Sequence, residues 1–393
     1  MIKTLLFSTL YPSSARPIHG IFVETRLREL LKSGEVETKV VAPVPWFPFS
    51  GERFGEYGRC AATPRFEHRN GVDVHHPRYF LPPKVGMNIA PYMLALGALP
   101  TIKKLIRDGF DFDLIDAHYY YPDGVAAGIL SRWIGKPFVV TARGTDLSLI
   151  PQFAIPRRLI IRTADQAAGS IGVCSALMES LAGLGADASK LHVMRNGVDL
   201  ERFSPIDRVA ARERIGVPAN NKMLLSVGYL IERKGHNIAI EAMARLPQDY
   251  MLVIAGTGPE REKLERLASE LGVQERVRFA GQIPNEDLKW WYSAADALVL
   301  CSSREGWANV LLEAMACGTP VIATNIWGTP EVVASPEAGR LMAARTPAAL
   351  VDACNELFGA YPDSAAVRSY AEGFGWEATT EAQLRVFKEI INA

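Results

Sequence analysis

The chain has 393 residues, 48% of them hydrophobic and 22% charged, and its 43 basic side chains balance 43 acidic ones. This composition excludes a disordered or fibrous protein, and the absence of net charge leaves no overall field that would attract a nucleic acid. At roughly 150 residues per domain, the length predicts two to three domains with large cores.

The cysteines and the first residues bear on the compartment. Five scattered cysteines without a C-x-x-C pair are typical of a cytosolic protein with buried thiols, and they argue against a cysteine-bound metal. The start, MIKTLLFSTL, is only weakly similar to a signal peptide, because Ser8 and Thr9 interrupt its apolar stretch early. A first buried strand is predicted instead. Because no run of 18 apolar residues is found, no bilayer-spanning segment is predicted.

Short β-branched runs alternate with longer amphipathic runs, which predicts parallel sheets covered by helices on both faces. The first half has predicted strands, with helices between them, near residues 3–8, 39–42, 114–117, 138–141, 171–174 and 192–194. The turn-rich Phe203-Ser204-Pro205 marks a domain boundary, since proline opposes continuation of a helix or strand. A second alternation has predicted strands near residues 223–227, 251–255, 277–280, 297–300 and 321–323.

We therefore predict an α/β protein with two Rossmann-like, doubly wound domains that face a deep cleft, which is the natural place for a ligand. The N-terminal domain is expected to span residues 1–203 and to be completed by a closing helix over residues 376–393. The C-terminal domain is expected to span residues 204–375.

The segment REGWANVLLEAMACGTP, between a predicted strand and a predicted helix, is the most informative. Gly306 allows close approach of a ligand to the backbone, and the first free N–H groups of the helix, at Asn309 and Val310, can receive phosphate oxygens. The carboxylates of Glu305 and Glu313 accept hydroxyl hydrogens, which suits a sugar and a ribose. Alternatively, Glu305 only complements the helix dipole and Glu313 is a solvated helix residue, but the apolar neighbours of Glu313 weigh against this.

Two further glycine turns follow predicted strands of the second half. After Gly228 come Arg233 and Lys234, whose cations suit a diphosphate, because guanidinium holds two oxygens and ammonium acts as a point charge. The alternative is a solvated pair flanked by Glu232. Gly258 lies in the turn GTGP. This turn alone is a weak indication of a ligand site, and its position beside the other two glycine turns strengthens that indication.

The first half carries weaker signals. Gly20, in the loop after the first strand, allows the backbone to reach a phosphate or the acceptor. His118 ends a strand, and its imidazole is expected to point into the cleft, although a lone histidine is more often a hydrogen-bonded structural residue. Arg143 is a candidate for an anionic acceptor or phosphate, and a structural pair with Asp146 is an equal alternative. Tyr119, Arg143 and Asp146 are the acceptor-binding candidates.

Three stretches are candidates for a membrane-facing patch. Residues 79–93 are apolar and proline-rich, and residues 102–107 and 156–162 place cations beside aliphatic side chains. The alternative is amphipathic helices that pack on a core. The expected localisation is cytoplasmic, with a peripheral position on the inner face of the cell membrane.

Four motifs together resemble those of the retaining glycosyltransferases of family 4, which have the two-domain GT-B fold, over nearly the whole chain. These are Asn196-Gly197-Val198-Asp199 with Phe203-Ser204-Pro205, Arg233-Lys234-Gly235, Gly256-Thr257-Gly258-Pro259, and the E-x7-E pair of Glu305 and Glu313 within EGWANVLLEAMACGTPVIAT. The pattern is similar to that of exopolysaccharide and teichuronic-acid-type transferases. Many members carry two adjacent glycines where this chain has His19-Gly20, and often a histidine where it has Arg143.

The resemblance implies transfer of a sugar from a nucleotide-diphosphate donor, of the UDP or GDP type, to a hydroxyl of a glycan or lipid-linked acceptor, with retention of configuration. It implies an acceptor-binding N-terminal domain and a nucleotide-sugar-binding C-terminal domain. Arg233 and Lys234 then match the residues that neutralise the diphosphate. Glu305 matches the residue that contacts the transferred sugar, Glu313 the one that binds the ribose, and His118 the cleft histidine that positions sugar and phosphate.

Catalysis is therefore assigned to His118, Arg233, Lys234 and Glu305, and in the family the leaving phosphate takes the acceptor proton. Trp307 in the motif and Ile283, in the backbone segment expected to read the base, complete the donor-binding candidates. Neither a cofactor nor a metal is expected, because no D-x-D pair in a suitable loop and no H-E-x-x-H run is present. The alternatives are a sugar-nucleotide epimerase, a phosphorylase on the same fold, or a non-catalytic sugar-nucleotide-binding subunit.

Overall fold

The computed structural model describes residues 1–82 and 86–392. Its contacts divide the chain into two compact units, unit 1 (Met1–Arg195 with Ala378–Ala393) and unit 2 (Asn196–Glu377). The boundary thus precedes the expected one after residue 203. The difference has a local cause, since the Arg368 side chain of unit 2 donates hydrogen bonds to the carbonyl groups of Phe203 and Leu200.

In its described residues, unit 1 contains ten strands and the first seven α-helices of the chain. The strands are β1 (Ile2–Phe7), β2 (Val36–Val41), β3 (Val44–Pro45), β4 (Phe66–Arg69), β5 (Val72–His75), β6 (Arg78–Tyr79), β7 (Leu114–His118), β8 (Phe138–Ala142), β9 (Gly169–Gly172) and β10 (Leu191–Val193). The helices are α1 (Ile21–Leu31), α2 (Gly55–Ala62), α3 (Gly86–Arg107), α4 (Val125–Ile134), α5 (Thr145–Ser148), α6 (Ala154–Gln166) and α7 (Ser175–Gly183).

Unit 2 contains six strands and eight helices, and the last helix of the chain returns to unit 1. The strands are β11 (Lys222–Val227), β12 (Tyr250–Ala255), β13 (Val277–Gly281), β14 (Ala297–Leu300), β15 (Val321–Thr324) and β16 (Gly339–Met342). The helices are α8 (Arg208–Ile215), α9 (His236–Met243), α10 (Arg261–Glu270), α11 (Leu288–Ala294), α12 (Asn309–Ala316), α13 (Thr329–Val332), α14 (Pro347–Gly359) and α15 (Ser364–Glu372), followed by α16 (Glu377–Ile391).

The large sheet of unit 1 has the strand order β10-β9-β8-β7-β1-β2-β5-β4. Its neighbouring strands are parallel except for the antiparallel pair β4 and β5. The central strands read as near-continuous apolar runs, and every residue of β7 and β8 is buried, as expected for strands covered on both faces. Strands β3 and β6 form a separate parallel pair.

Unit 2 has a six-stranded parallel sheet with the order β13-β12-β11-β14-β15-β16. This is the strand order of a doubly wound dinucleotide-binding fold, in which the connections reverse direction between β11 and β14. The α/β architecture with parallel sheets is therefore confirmed in each unit. The eleven strands expected from the sequence are all found, within two to three residues at each end.

Helix α16 confirms the expected closing helix, although it begins at Glu377 and the structure describes it as far as Ile391. Its apolar face joins a core cluster of unit 1, where Leu384, Val386 and Phe387 pack with residues from β2 and β7. The terminal residue 393 of the predicted segment lies outside the described residues.

One helix bears on the expectation that no segment spans a bilayer. In the described part of the chain, α3 alone is long and apolar enough, by length and composition, to cross a membrane, and 39% of its most apolar window is buried inside the protein. Pro91 and Pro100 lie inside the helix, and its uncharged stretch ends at Lys103. Helix α3 packs against α4 within unit 1.

Candidate functional site

The carboxyl ends of β11 and β14 bring two loops together in unit 2. Ligands of open α/β sheets bind at such a point, where the direction of the connections reverses. A short 3-10 turn, Glu232–Lys234, follows β11. The Ser303 N–H donates to the Arg233 carbonyl at 2.8 Å, and the Arg233 guanidinium donates to the Arg304 carbonyl at 2.8 Å. The two loops predicted separately from the sequence are therefore joined by reciprocal hydrogen bonds.

Lys234, Arg233 and Glu305 form a compact charge cluster in these loops. The Lys234 ammonium donates to Glu305 Oε1 at 2.7 Å, and Arg233 Nη1 lies 3.7 Å from the same oxygen. Ser302 Oγ also donates to Glu305 Oε1, at 2.6 Å. Burial by itself would raise the pKa of the Glu305 carboxyl, but the charges of Lys234 and Arg233 and these hydrogen bonds outweigh it and lower that pKa. Glu305 is therefore held as a carboxylate beside two cations.

Glycines allow these loops to pack closely. Gly235 has a left-handed φ of 70°, and a Cβ there would collide with the Cys301 carbonyl that precedes Glu305. A Cβ at Gly258 would collide with the backbone of Leu230, and Gly228 lies with its φ of 156° against the stem of Lys234. The sequence prediction gave Gly228 and Gly258 a role in binding the donor. The structure gives them a packing role, and direct contact with a donor stays a prediction.

Glu313 is the fifth residue of α12, and it is half-buried. The Tyr292 hydroxyl donates to Glu313 Oε2 at 2.7 Å. Burial raises the pKa of the Glu313 carboxyl, and the Tyr292 hydrogen bond and the charge of Arg202 oppose this only in part. The alternative of a freely solvated helix residue is therefore wrong.

The remaining residues of the motif lie at the start of α12. Gly306 is buried, and Val310 lies half-buried in the first helical turn. The Asn309 side chain accepts a hydrogen bond from Asn196 at 3.3 Å, which ties the helix start to the first motif of unit 2. The Trp307 ring is buried against Phe374, with ring centroids 6.1 Å apart. Contact of these four residues with a donor stays a prediction.

Ile283 follows β13, which lies two strands from β11 in the sheet of unit 2. It lines a cavity of about 480 Å³ beside the edge strand β13. Arg214 stacks over Trp290 at 4.5 Å and Arg278 over Trp291 at 5.3 Å in the wall of this cavity. A role of the Ile283 backbone in reading the base stays a prediction.

His118 of unit 1 is buried, with 1% of its surface exposed. Its Nδ1 lies 2.6 Å from an Arg143 nitrogen and its Nε2 lies 3.3 Å from Asp116 Oδ2. Because guanidinium only donates, Nδ1 accepts and the ring proton is assigned to Nε2. Burial lowers the pKa of His118 to about 4, so the ring is neutral at pH 7. Both ring nitrogens therefore have protein partners, and the role of His118 as the histidine that positions sugar and phosphate stays a prediction.

The partners of His118 continue into a buried polar chain that sequence reasoning missed. Asp116 accepts a hydrogen bond from the Gln383 amide at 3.1 Å, and Gln383 in turn accepts one from Arg26 at 3.0 Å. Asp116 lies two residues before His118 on β7, and the period of two places both on one face of the strand. That spacing could have revealed Asp116. Gln383 lies 267 residues away and left no local signal.

The acceptor-binding candidates have mainly structural partners. Asp146 accepts hydrogen bonds from the backbone N–H groups of Tyr120, Arg143 and Gly144, at 2.8, 3.1 and 2.7 Å. It therefore fastens the loops after β7 and β8 and does not offer a free carboxylate. Arg143 also stacks over Phe22, at 5.4 Å. Tyr119 has a left-handed φ of 82° and lines an apolar cavity.

Gly20 and Glu24 also have structural explanations. Gly20 is the N-cap of α1 with φ 70°, and a Cβ there would collide with the backbone of Leu10. Glu24 is buried and accepts hydrogen bonds from Arg69 at 2.5 Å and from Asn70 at 3.0 Å. Within residues 1–82 and 86–392, no cluster of three or more histidine, cysteine, aspartate or glutamate side chains is arranged as metal ligands, and the five cysteines are buried thiols.

Comparison with known proteins agrees with these motifs. The sequence model "Glycosyltransferase Family 4" matches residues 12–202, and "Glycosyl transferases group 1" matches residues 207–374. One relative is the Bacillus subtilis (strain 168) protein described as "Putative teichuronic acid biosynthesis glycosyltransferase TuaC". It is 31% identical over 83% of this chain and 82% of that protein. The D-inositol 3-phosphate glycosyltransferase of Frankia alni is 32% identical over 72% and 75%.

Among solved structures, Anabaena Alr3699/HepE in complex with UDP superposes with a TM-score of 0.74, covering 99% of this chain and 100% of that chain at 22% identity. At 22% identity the superposition establishes only the fold, whereas the relatives that are 31% and 32% identical establish the family. The chain therefore belongs to glycosyltransferase family 4 and is a glycosyltransferase with the two-domain α/β fold called GT-B.

Proposed function

We propose that this glycosyltransferase takes its sugar from a UDP-sugar bound to unit 2 and transfers it, with retention of configuration, to an acceptor hydroxyl. The observation that carries the proposal is the cluster of Lys234, Arg233 and Glu305, where two cations and a carboxylate meet at the point where strand connections reverse. The choice of uridine is supported by the fold relative from Anabaena, which was solved with UDP and also with UDP-glucose.

The charges of the cluster suit the bond that breaks. Negative charge grows on the leaving diphosphate as the sugar–phosphate bond opens, and prearranged cations stabilise that charge most in the transition state. Arg233 and Lys234 supply these cations. Glu305, which is kept ionised, accepts a hydrogen bond from a hydroxyl of the transferred sugar, and Glu313 accepts hydrogen bonds from the ribose hydroxyls. The leaving phosphate oxygen takes the acceptor proton.

A donor panel tests this proposal. Glucose donors of UDP, GDP, ADP and dTDP are added to the purified protein in the presence of EDTA, and the thermal midpoint is recorded. A ligand at 100 times its Kd stabilises by about 2.7 kcal/mol, which a thermal shift readily detects. We expect a shift with the UDP-sugar and product formation that survives EDTA. Complete loss of activity with EDTA, restored by Mn²⁺, would contradict the metal-independent mechanism.

We propose a lipid-linked acceptor, which is supported by an apolar cavity of about 420 Å³ in unit 1. Tyr119, the residue after His118, lines it together with Met87 and Ile150. A hydrocarbon portion beside the acceptor hydroxyl would bury these side chains. Decyl glycosides are expected to have a lower KM than methyl glycosides of the same sugar, and Ile150→Gln should reduce the difference. Equal KM values in the wild type would contradict this acceptor class.

Contact with a membrane surface follows from the same acceptor class and is supported by two exposed faces of unit 1. On α3, Tyr92 and Leu96 are 44% and 53% exposed on the face that continues to the cation Lys103. At the start of α6, Phe153 and Ile155 are each 49% exposed, and α6 also carries exposed arginines at 157, 158 and 162. Apolar side chains flanked by cations are typical of binding to anionic lipid. Residues 83–85 of the proline-rich stretch lie outside the described residues.

Vesicle sedimentation tests this contact. We expect the wild type to sediment with phosphatidylglycerol vesicles and less with phosphatidylcholine vesicles. The double change Leu96→Glu with Phe153→Glu should abolish sedimentation without unfolding, because both side chains are exposed. Leu271→Glu, at an exposed leucine of unit 2, is the matched control. Equal sedimentation of wild type and double variant would refute the assigned surface.

A further inference from the structure

Each glutamate of the E-x7-E pair has one carboxylate oxygen held by a buried hydroxyl. Ser302 Oγ donates to Glu305 Oε1 at 2.6 Å, and the Tyr292 hydroxyl donates to Glu313 Oε2 at 2.7 Å. The cations Lys234 and Arg233 approach the oxygen of Glu305 that Ser302 holds. No hydrogen bond from the described residues reaches Glu305 Oε2 or Glu313 Oε1. One oxygen of each carboxylate thus accepts hydrogen bonds from the described residues, and the other accepts none from them.

Ser302 is held on a fixed stretch of backbone. It is 1% exposed and lies two residues beyond the end of β14. The residue before it, Cys301, accepts a hydrogen bond from Arg345 at 2.9 Å through its carbonyl, and the residue after it, Ser303, donates to the Arg233 carbonyl at 2.8 Å. Its hydroxyl therefore reaches Glu305 from a constrained position.

Tyr292 is held in the same manner from the opposite element, α11. Its side chain is fully buried, and its ring packs edge-to-face on Phe203, with centroids 5.9 Å apart. Thr319, after α12, donates to the Tyr292 carbonyl at 2.7 Å. The tyrosine thus contacts Phe203 near the start of unit 2, Glu313 within α12 and Thr319 after α12, and packing sets the direction of its hydroxyl.

We propose that Ser302 and Tyr292 are positioning residues, which fix the carboxylates so that Glu305 Oε2 meets a hydroxyl of the transferred sugar and Glu313 Oε1 meets the ribose hydroxyls. This rests on the roles proposed above for the two glutamates. A free glutamate side chain loses rotamer freedom when it binds a ligand, and a prearranged one has already lost it. The two hydroxyls therefore contribute to donor affinity and orientation without touching the donor.

Tyr292 is tested with a ligand that lacks the groups Glu313 is proposed to bind. Tyr292→Phe removes the hydroxyl and keeps the ring on Phe203. Calorimetry then gives the affinities for UDP and for 2′,3′-dideoxy-UDP. We expect the wild type to prefer UDP and this preference to fall about tenfold in the variant, the size of one hydrogen bond to a charged group, with dideoxy-UDP binding unchanged. Tyr250→Phe, at another buried tyrosine of unit 2, is the matched control.

The outcomes separate the two levels of the proposal. Equal losses for both nucleotides in Tyr292→Phe would mean a merely structural role and would overturn the inference, and so would an unchanged preference. A wild type that does not distinguish UDP from dideoxy-UDP would instead refute the ribose role of Glu313, on which the inference rests.

Ser302 is tested by comparing a ligand with and without the sugar. Ser302→Ala should leave UDP affinity unchanged, because Lys234 remains in place, and should weaken UDP-glucose binding and lower kcat about tenfold. Ser293→Ala is the control, since this buried serine uses its hydroxyl to accept the Ile206 N–H at 3.2 Å. Parallel losses for UDP and UDP-glucose, or no loss for either, would overturn the role of Ser302.

Discussion

Replacing Glu305 by glutamine is expected to strengthen binding of UDP while it slows sugar transfer. Glu305 Oε1 lies 2.7 Å from Lys234 Nζ, and a phosphate oxygen bound to the same ammonium would lie about 2.8 Å from it. The two anionic oxygens would thus be at most about 5.5 Å apart. Unit charges at that distance repel by about 3 kcal/mol at an effective dielectric constant of about 20. Solvent screening and movement of the Lys234 side chain reduce this repulsion to about half, which corresponds to a roughly tenfold lower Kd for UDP in the variant.

Isothermal titration calorimetry with UDP, without a sugar, measures this effect directly. Transfer by Glu305→Gln is followed separately with UDP-glucose, where the loss of the sugar contact lowers kcat. Glu262→Gln removes an exposed carboxylate from α10 of the same unit and should leave the Kd for UDP unchanged. If Glu305→Gln binds UDP with equal or lower affinity than the wild type, the assignment of Lys234 to the diphosphate is refuted.

Three further predictions concern stability and loop packing. Because burial lowers the pKa of His118 from 6.5 to about 4, the neutral ring stabilises the fold fully above pH 6.5. This contribution, up to about 3 kcal/mol, is lost as the pH falls towards 4, so Tm should drop between pH 7 and 5. Gly235→Ala should weaken UDP binding, whereas Gly216→Ala, at a similar φ in open space, should cost only about 1 kcal/mol of stability. Glu24→Gln should lower Tm and leave the Kd for UDP unchanged, which calorimetry checks.

The buried strands were predictable because parallel strands covered on both faces are short apolar runs bounded by turns. The strands that were missed lack this signature. Phe66–Arg69 and Val72–His75 form an antiparallel pair at the sheet edge, with polar and partly exposed side chains. Strand Gly339–Met342 begins with glycine and arginine and lies at an edge of the sheet of unit 2. Edge strands have one open face or side, and their composition therefore resembles that of loops.

Only those candidate residues of the site that lie in a recognisable local motif could be predicted from the sequence. The charge pattern and glycine turns singled out Lys234 and Glu305, which the structure joins by a hydrogen bond of 2.7 Å, together with Glu313. Their contact with a ligand stays a prediction. The buried partners of His118 could not be found in this way, because Gln383 reaches Asp116 from the last helix of the chain. Burial of an isolated histidine depends on such long-range contacts, and nothing in its immediate sequence distinguishes a buried ring from an accessible one.

The return of α16 to unit 1 affects the order in which the protein can fold during synthesis. Unit 2 is continuous in sequence from Asn196 to Glu377, so all its strands are synthesised before α16. Unit 1 must wait for Gln383, Leu384 and Phe387 of α16, which fill its core and satisfy its buried Arg26. A nascent chain therefore carries an unfinished N-terminal unit while unit 2 is already complete, and a deletion of α16 would damage unit 1 rather than unit 2.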